Sequence, residues 1–188
     1  MRTVDDDPIT LISIEIAKRV RRDMIVSPHS FDVFNRFKPN SSSIPPLIPI
    51  IAPPFIICKS PAPSEAPSPC DVYGFLTSLI ISKELGSECG IIALMYMDRV
   101  RLLISLKAAS LKIVTLVCVM LAAKIWEDDP RHWPWEFSQV SEMSASKICA
   151  AEKLFCKLID FDLHVDGERY RSYHDSIFKK YNSKSYRT

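Results

Sequence analysis

Apolar residues recur along this chain at spacings of three and four, the period of a helix with one buried face. Ile9, Ile12, Ile16 and Val20 set the first stripe. Asp7 is placed to cap it and Pro8 suits the first helical position, so a helix is predicted from Ile9 to about Met24. Val72, Phe75, Leu76 and Leu79 predict a second helix over Asp71–Lys83. Gly86 breaks it, Ser87 is placed to cap the next helix, and Glu88 suits that helix's first turn. The helix beginning at Glu88 extends to about Ser105 and carries two stripes. One is Ile92, Tyr96, Val100 and Leu103; the other is Ile91, Leu94, Met95 and Leu102. From about Ser110 to Trp126 the chain is apolar on every side, the pattern of a helix at the centre of a helical domain. Pro130 and Pro134 mark a loop, and a short helix follows over Trp135–Ser141. Ser144 starts another helix, whose Ile148, Ala151, Leu154, Phe155, Leu158 and Ile159 share a face, and Asp166 caps a last one to about Tyr181. No convincing alternating strand is present. The predicted fold class is all-α: five helices packed around a central one, with one flanking helix on each side.

The character changes between the first two helices. Ser27-Pro28, the Asn40-Ser41-Ser42-Ser43 run and the prolines from Pro39 to Pro69 predict an irregular segment over 25–69. Its Ile44–Cys58 portion is apolar, but Pro45, Pro46, Pro49, Pro53 and Pro54 interrupt the run of about 20 residues that a bilayer helix needs. Ile113–Ala123 is too short to span, so no membrane span is expected. Parts of 25–69 can lie on the domain or meet a partner in extended form. Ser27, Ser60 and Ser68 each precede proline and are candidate phosphosites for a proline-directed kinase; a plain Pro/Ser-rich loop explains any one of them as well. The Lys-Arg-Val-Arg-Arg run at 18–22 reads either as a nuclear localisation signal or as a solvated helix end, and the solvated end is the favoured reading.

Composition then limits the function. The 188 residues, 47% hydrophobic, suffice for one domain with extensions. A balance of 24 basic against 22 acidic residues, net charge +2, sets up no global field for nucleic acid. Gly74, Gly86, Gly90 and Gly167 form no phosphate-cradling loop, so no nucleotide or other cofactor is expected. Cys58, Cys70, Cys89, Cys118, Cys149 and Cys156 lack zinc-site spacing and no histidine clusters with them, so no metal is expected. They read as reduced thiols, several of them small apolar filler in helices. Met-Arg-Thr-Val-Asp-Asp-Asp is not a secretory signal and Arg2 excludes myristoylation, so the expectation is an intracellular protein. His132 and His164 have no nucleophile to serve, no catalytic residue is expected, and Glu127-Asp128-Asp129 reads as a solvated loop.

One region carries a resemblance. Ser-Glu-Cys-Gly-Ile-Ile-Ala-Leu-Met-Tyr-Met-Asp-Arg at 87–99 is followed by Val-Met-Leu-Ala-Ala-Lys-Ile-Trp-Glu-Asp at 119–128. Then come Trp133, Phe137-Ser138-Gln139-Val140, and Glu152 on a helix ending Leu-Ile-Asp-Phe-Asp-Leu at 158–163. In order and spacing this resembles a single cyclin box. It is most similar to cyclin Y and the phosphate-pathway cyclins, with the plant P/U-type cyclins close by. The resemblance implies an N-terminal helix packing on the box (1–24), the Pro/Ser-rich segment (25–69), the box (70–165), and a C-terminal helix and tail (166–188). It implies a regulatory subunit, not itself an enzyme, that binds and activates a cyclin-dependent kinase of PCTAIRE-like or phosphate-pathway type in cytoplasm, nucleus or both. No small-molecule substrate and no nucleic-acid partner are implied.

Lys124 and Glu152 match the family's kinase-binding positions, and Asp98 and Arg99 match its Tyr-x-Asp-Arg. With Ile113 of the central helix, Asp98 and Arg99 are expected to brace the fold. Trp126, Trp133 and Phe137 are candidate interface aromatics, or else packing residues. In mitotic cyclins the counterpart of Asp98 pairs with an arginine of a Met-Arg-Ala-Ile-Leu motif. Here the helix starts Pro-Cys-Asp-Val-Tyr, so Asp98 needs another partner, and Lys124 is the candidate. Gly90 departs from the family's better helix formers, at about 1 kcal/mol relative to alanine unless close helix packing needs it; Pro134 replaces the usual asparagine. Two rivals share the fold: an adaptor that does not activate a kinase, and a TFIIB-type transcription factor. The second calls for paired boxes and a basic face. This chain has one box, with basic clusters at 18–22 and at Lys179, Lys180, Lys184 and Arg187. An exposed Lys124–Glu152 surface favours the kinase regulator, and a buried one the adaptor.

Overall fold

A computed structural model describes residues 7–26, 67–104, 106–128 and 133–185. Ser27, Ser60, His132 and the Ile44–Cys58 run lie outside the described residues. The described residues form helices α1 (Pro8–Val26), α2 (Pro69–Ser82), α3 (Ser87–Arg101), α4 (Ala108–Trp126), α5 (Pro134–Ser141), α6 (Ala145–Leu158) and α7 (Gly167–Ser185), with no strand among them. The fold is all-α, as the apolar periodicity predicts.

Local chemistry sets the boundaries. Asp7 accepts the Thr10 N–H at 3.2 Å and so caps α1. α2 starts two residues earlier than its apolar stripe implies, because Ser68 and Asp71 form a capping box. The Asp71 N–H donates to Ser68 Oγ at 3.2 Å, and Asp71 Oδ2 accepts the Ser68 N–H at 3.2 Å. At α3 the expected cap is corrected: Gly86 is the N-cap and Ser87 the first helical residue. α3 also stops at Arg101, where the N–H groups of Leu103 and Ile104 both turn to the Val100 carbonyl at 3.0 Å. Leu102 and Leu103, placed by periodicity on core stripes, are therefore exposed, and Leu106 is buried instead.

α4 is the centre. Ile113, Val114, Leu116, Val117, Val119, Met120 and Leu121 are all buried, as are Ala122 and Ala123. Its 19 residues are long and apolar enough to cross a membrane by length and composition alone, a correction to the shorter run read from sequence. Its burial among α2, α3, α5 and α6 makes it the core helix of a helical domain.

The flanking helices are part of the same core. α1 lays Leu11, Ile12, Ile16, Ala17 and Val20 against α2, α3, α4 and α7. A Cβ at Gly90 would sit 2.9 Å from Ile12 Cδ1, so the glycine in the first turn of α3 makes room for α1. α7 buries Ile177 and lays a row of rings along its side. Tyr170 stacks on Trp126 of α4 at 5.6 Å between centroids, and His174 on Phe178 at 4.2 Å.

Candidate functional site

The last turn of α4 gathers the chemistry. Lys124 belongs at this helix end, where the dipole is negative. Its Nζ lies 2.5 Å from Glu152 Oε1 on α6, a helix started by Ser144, whose hydroxyl accepts the Lys147 N–H. The two side chains keep 27% and 17% of their surface exposed, so the pair is half-buried. An ammonium has three donors and a carboxylate about four acceptor sites, so hydrogen-bonding capacity remains for a partner's backbone. Burial, and then the Glu152 charge, raise the nearby Cys156 thiol against the opposing pull of Lys124.

The aromatics divide. Trp126 is 41% exposed and stacked on Tyr170, Ile125 beside it is exposed, and Trp133 and Trp135 are exposed. Phe137 is a correction: it is fully buried under Lys83, whose Nζ lies 5.8 Å from the ring centroid, and it packs the core instead of offering an interface anchor. Ser68 is committed to capping α2, with its hydroxyl donating to Asp71 Oδ2 at 2.7 Å.

Glu127 is a second correction, since it does not sit in a solvated loop. Its Oε1 accepts the Gly86 N–H at 3.2 Å and the Cys89 S–H at 3.3 Å. It therefore caps α3 from a distant part of the chain, at a helix end that favours a carboxylate and has no side-chain cap of its own. Burial, and then this hydrogen bond, push the Cys89 thiol far above its ordinary range. Nothing local in the sequence signals the role, because the partners are 41 and 38 residues away.

Asp98 takes its partner from α1, not from Lys124. Arg19 grips it with Nε on Oδ1 at 2.6 Å and Nη2 on Oδ2 at 2.9 Å. The Tyr173 hydroxyl of α7 donates to Oδ2 at 2.5 Å, and Arg101 reaches Oδ1 at 3.2 Å. Arg101 in turn holds Asp23 of α1 through two bonds of 2.9 and 2.5 Å, and Asp23 accepts the Leu106 N–H at 3.0 Å. Burial alone would raise the Asp98 carboxyl, but Arg19, Tyr173 and Arg101 together hold it below the usual carboxylate range. Lys124 lies at the far end: Glu127 docks on the start of α3, whereas Asp98 is near its finish.

The favoured reading of run 18–22 is corrected at Arg19, which is drawn into this network while Lys18, Arg21 and Arg22 stay exposed. Arg99 donates to the Asp162 carbonyl and, at 2.7 Å, to the His164 carbonyl, and Tyr96 donates to the Leu163 carbonyl at 2.7 Å. Both tie the turn after α6 to α3. Burial pushes the Tyr96 phenol up to about 12. Ile113 is buried in α4.

Among the described residues no group of three or more His, Cys, Asp or Glu side chains is placed to hold a metal. No solved structure matches the chain significantly. The family model for the cyclin N-terminal domain matches residues 70–164, just over half of the 188. The matched stretch runs from α2 through the turn after α6, the five helices grouped around α4, and by that match this chain belongs to the cyclin family.

Proposed function

We propose that this chain is the regulatory subunit of a cyclin-dependent serine/threonine kinase, of PCTAIRE-like or phosphate-pathway type, acting in cytoplasm, nucleus or both. The observation that carries the reading is the Lys124–Glu152 pair, held between α4 and α6 with part of each side chain still open to a partner. The family's members are regulators and not enzymes, which fits a chain that supplies contacts to a kinase. The mechanism is population shift: the surface of α4 and α6 binds the kinase's regulatory helix better in its active placement, and that difference in affinity favours the active state.

The test is capture from the chain's own cell extract, with mass spectrometry and a kinase assay on the eluate. A cyclin-dependent kinase is expected, recovered with activity. Lys124→Ala with Glu152→Ala should abolish kinase binding and leave far-UV helicity intact. Lost helicity would make the pair structural. Other proteins without a kinase would turn the reading to the adaptor, and polymerase components to the TFIIB type.

A further inference from the structure

Three consecutive contacts leave the end of α4 in three directions. Lys124 goes to Glu152 on α6, Trp126 stacks on Tyr170 of α7, and Glu127 goes to Gly86 and Cys89 at the start of α3. Glu127 also closes the helix, its N–H donating to the Ala123 carbonyl at 3.0 Å. All three side chains stay partly exposed, and Glu127 alone is bonded to a helix start that has no side-chain cap of its own.

We propose that Glu127 is a positioning residue. By bolting the last turn of α4 to the start of α3, it fixes the direction in which Lys124 and Trp126 face the kinase. Its two acceptor bonds restrain the turn that carries Lys124, which lowers the ordering cost when a partner docks there. The inference rests on the kinase-regulator reading for what the turn is presented to. The bolt itself is read from the distances.

Cys89 supplies an independent readout. It is fully buried and its thiol is one of the two groups that Glu127 holds, so it reacts only when the α3–α4 junction opens. The experiment compares the intact chain with E127A and E127Q. It measures affinity for the purified kinase that the wild-type chain captures, and the labelling rate of Cys89 by a thiol reagent, followed on its own peptide. The expected result for E127A is faster Cys89 labelling and about tenfold weaker kinase binding, the loss of one charge-assisted bond carried through to the surface. E127Q keeps an acceptor oxygen and should restore most of both. Faster labelling with unchanged affinity would overturn the positioning role and leave a structural cap. Unchanged labelling would overturn the bolt, and so would failure of glutamine to rescue. If the wild-type chain captures no kinase, the functional reading falls and the presentation to a kinase falls with it; the labelling rates then report on the α3–α4 bolt alone.

Discussion

Asp98 has three neighbours that donate to it, Arg19, Tyr173 and Arg101, and their sum outweighs the effect of burial on its charge state. Its folded carboxyl titrates below the ordinary value of about 3.9, so its contribution to stability is fully present above that value. It is lost as pH falls through the lower folded value. In urea titrations the native chain should therefore exceed Asp98→Asn in stability at pH 7, and the gap should close as pH drops below about 4. A gap that stays constant across that range would mean the carboxylate's charge does not matter. Arg19→Ala removes two bonds to a charged acceptor and should cost about 1.5–3 kcal/mol or more. Arg19→Lys should recover little, because an ammonium cannot reproduce the two-pronged grip. At this scale the sequence was partly legible. The need of Asp98 for a new partner followed from the missing arginine motif. The identity of that partner did not, because Arg19 sits 79 residues away inside a basic run that resembles any solvated helix end. Glu127 was hidden in the same way, one acidic residue among three. A local pattern records charge; which charge folds inward is decided by distant backbone.

Helices were easier to read than their partners. Periodicity located five of the seven described helices, because a helix buries a stripe set by its own sequence, while prolines marked α5 and Asp166 marked α7. It failed at the end of α3, where Leu102 and Leu103 continue the apolar pattern after the chain has already turned. Gly90 shows the opposite case, a residue wrong for its own helix and right for the neighbouring one. The space it leaves is filled by Ile12 of α1, which is itself almost fully buried. Gly90→Val should therefore cost about 1–3 kcal/mol through overpacking, and the damage should appear first in α1. Hydrogen exchange should show α1 amides losing protection while those of α4 keep theirs. Uniform loss across the molecule would mean that α1 is not separately displaceable.

For the whole molecule, the family match and the folded unit differ in extent. The match covers α2 to the turn after α6, while the core also takes in α1 and Ile177 of α7, and the Asp98 network joins all three parts. The residue 70–164 fragment alone would expose the faces that Ile12, Ile16 and Val20 cover and leave Asp98 without Arg19 or Tyr173. It should bind a hydrophobic dye and unfold with low cooperativity, whereas residues 7–185 should give a single sharp thermal transition. A 70–164 fragment as stable as the longer chain would make the flanking helices mere attachments. That both flanks meet at one carboxylate was not legible in the sequence, since nothing in either helix names the other.

That meeting point also has an order in time. Arg19 and Tyr173 are bonded across 154 residues, so everything from α1 to α7 must exist before they can touch. As the chain emerges from the ribosome, α1 is made well before its Tyr173 anchor. The five central helices can pack with α1 held by its apolar stripe and by the Arg19–Asp98 and Asp23–Arg101 bonds. Synthesis halted before Tyr173 leaves a nascent chain in which Arg19 and Asp98 lack the Tyr173 hydroxyl. The most sequence-distant bond of the network is thus the one that reports that the chain has been read through to α7.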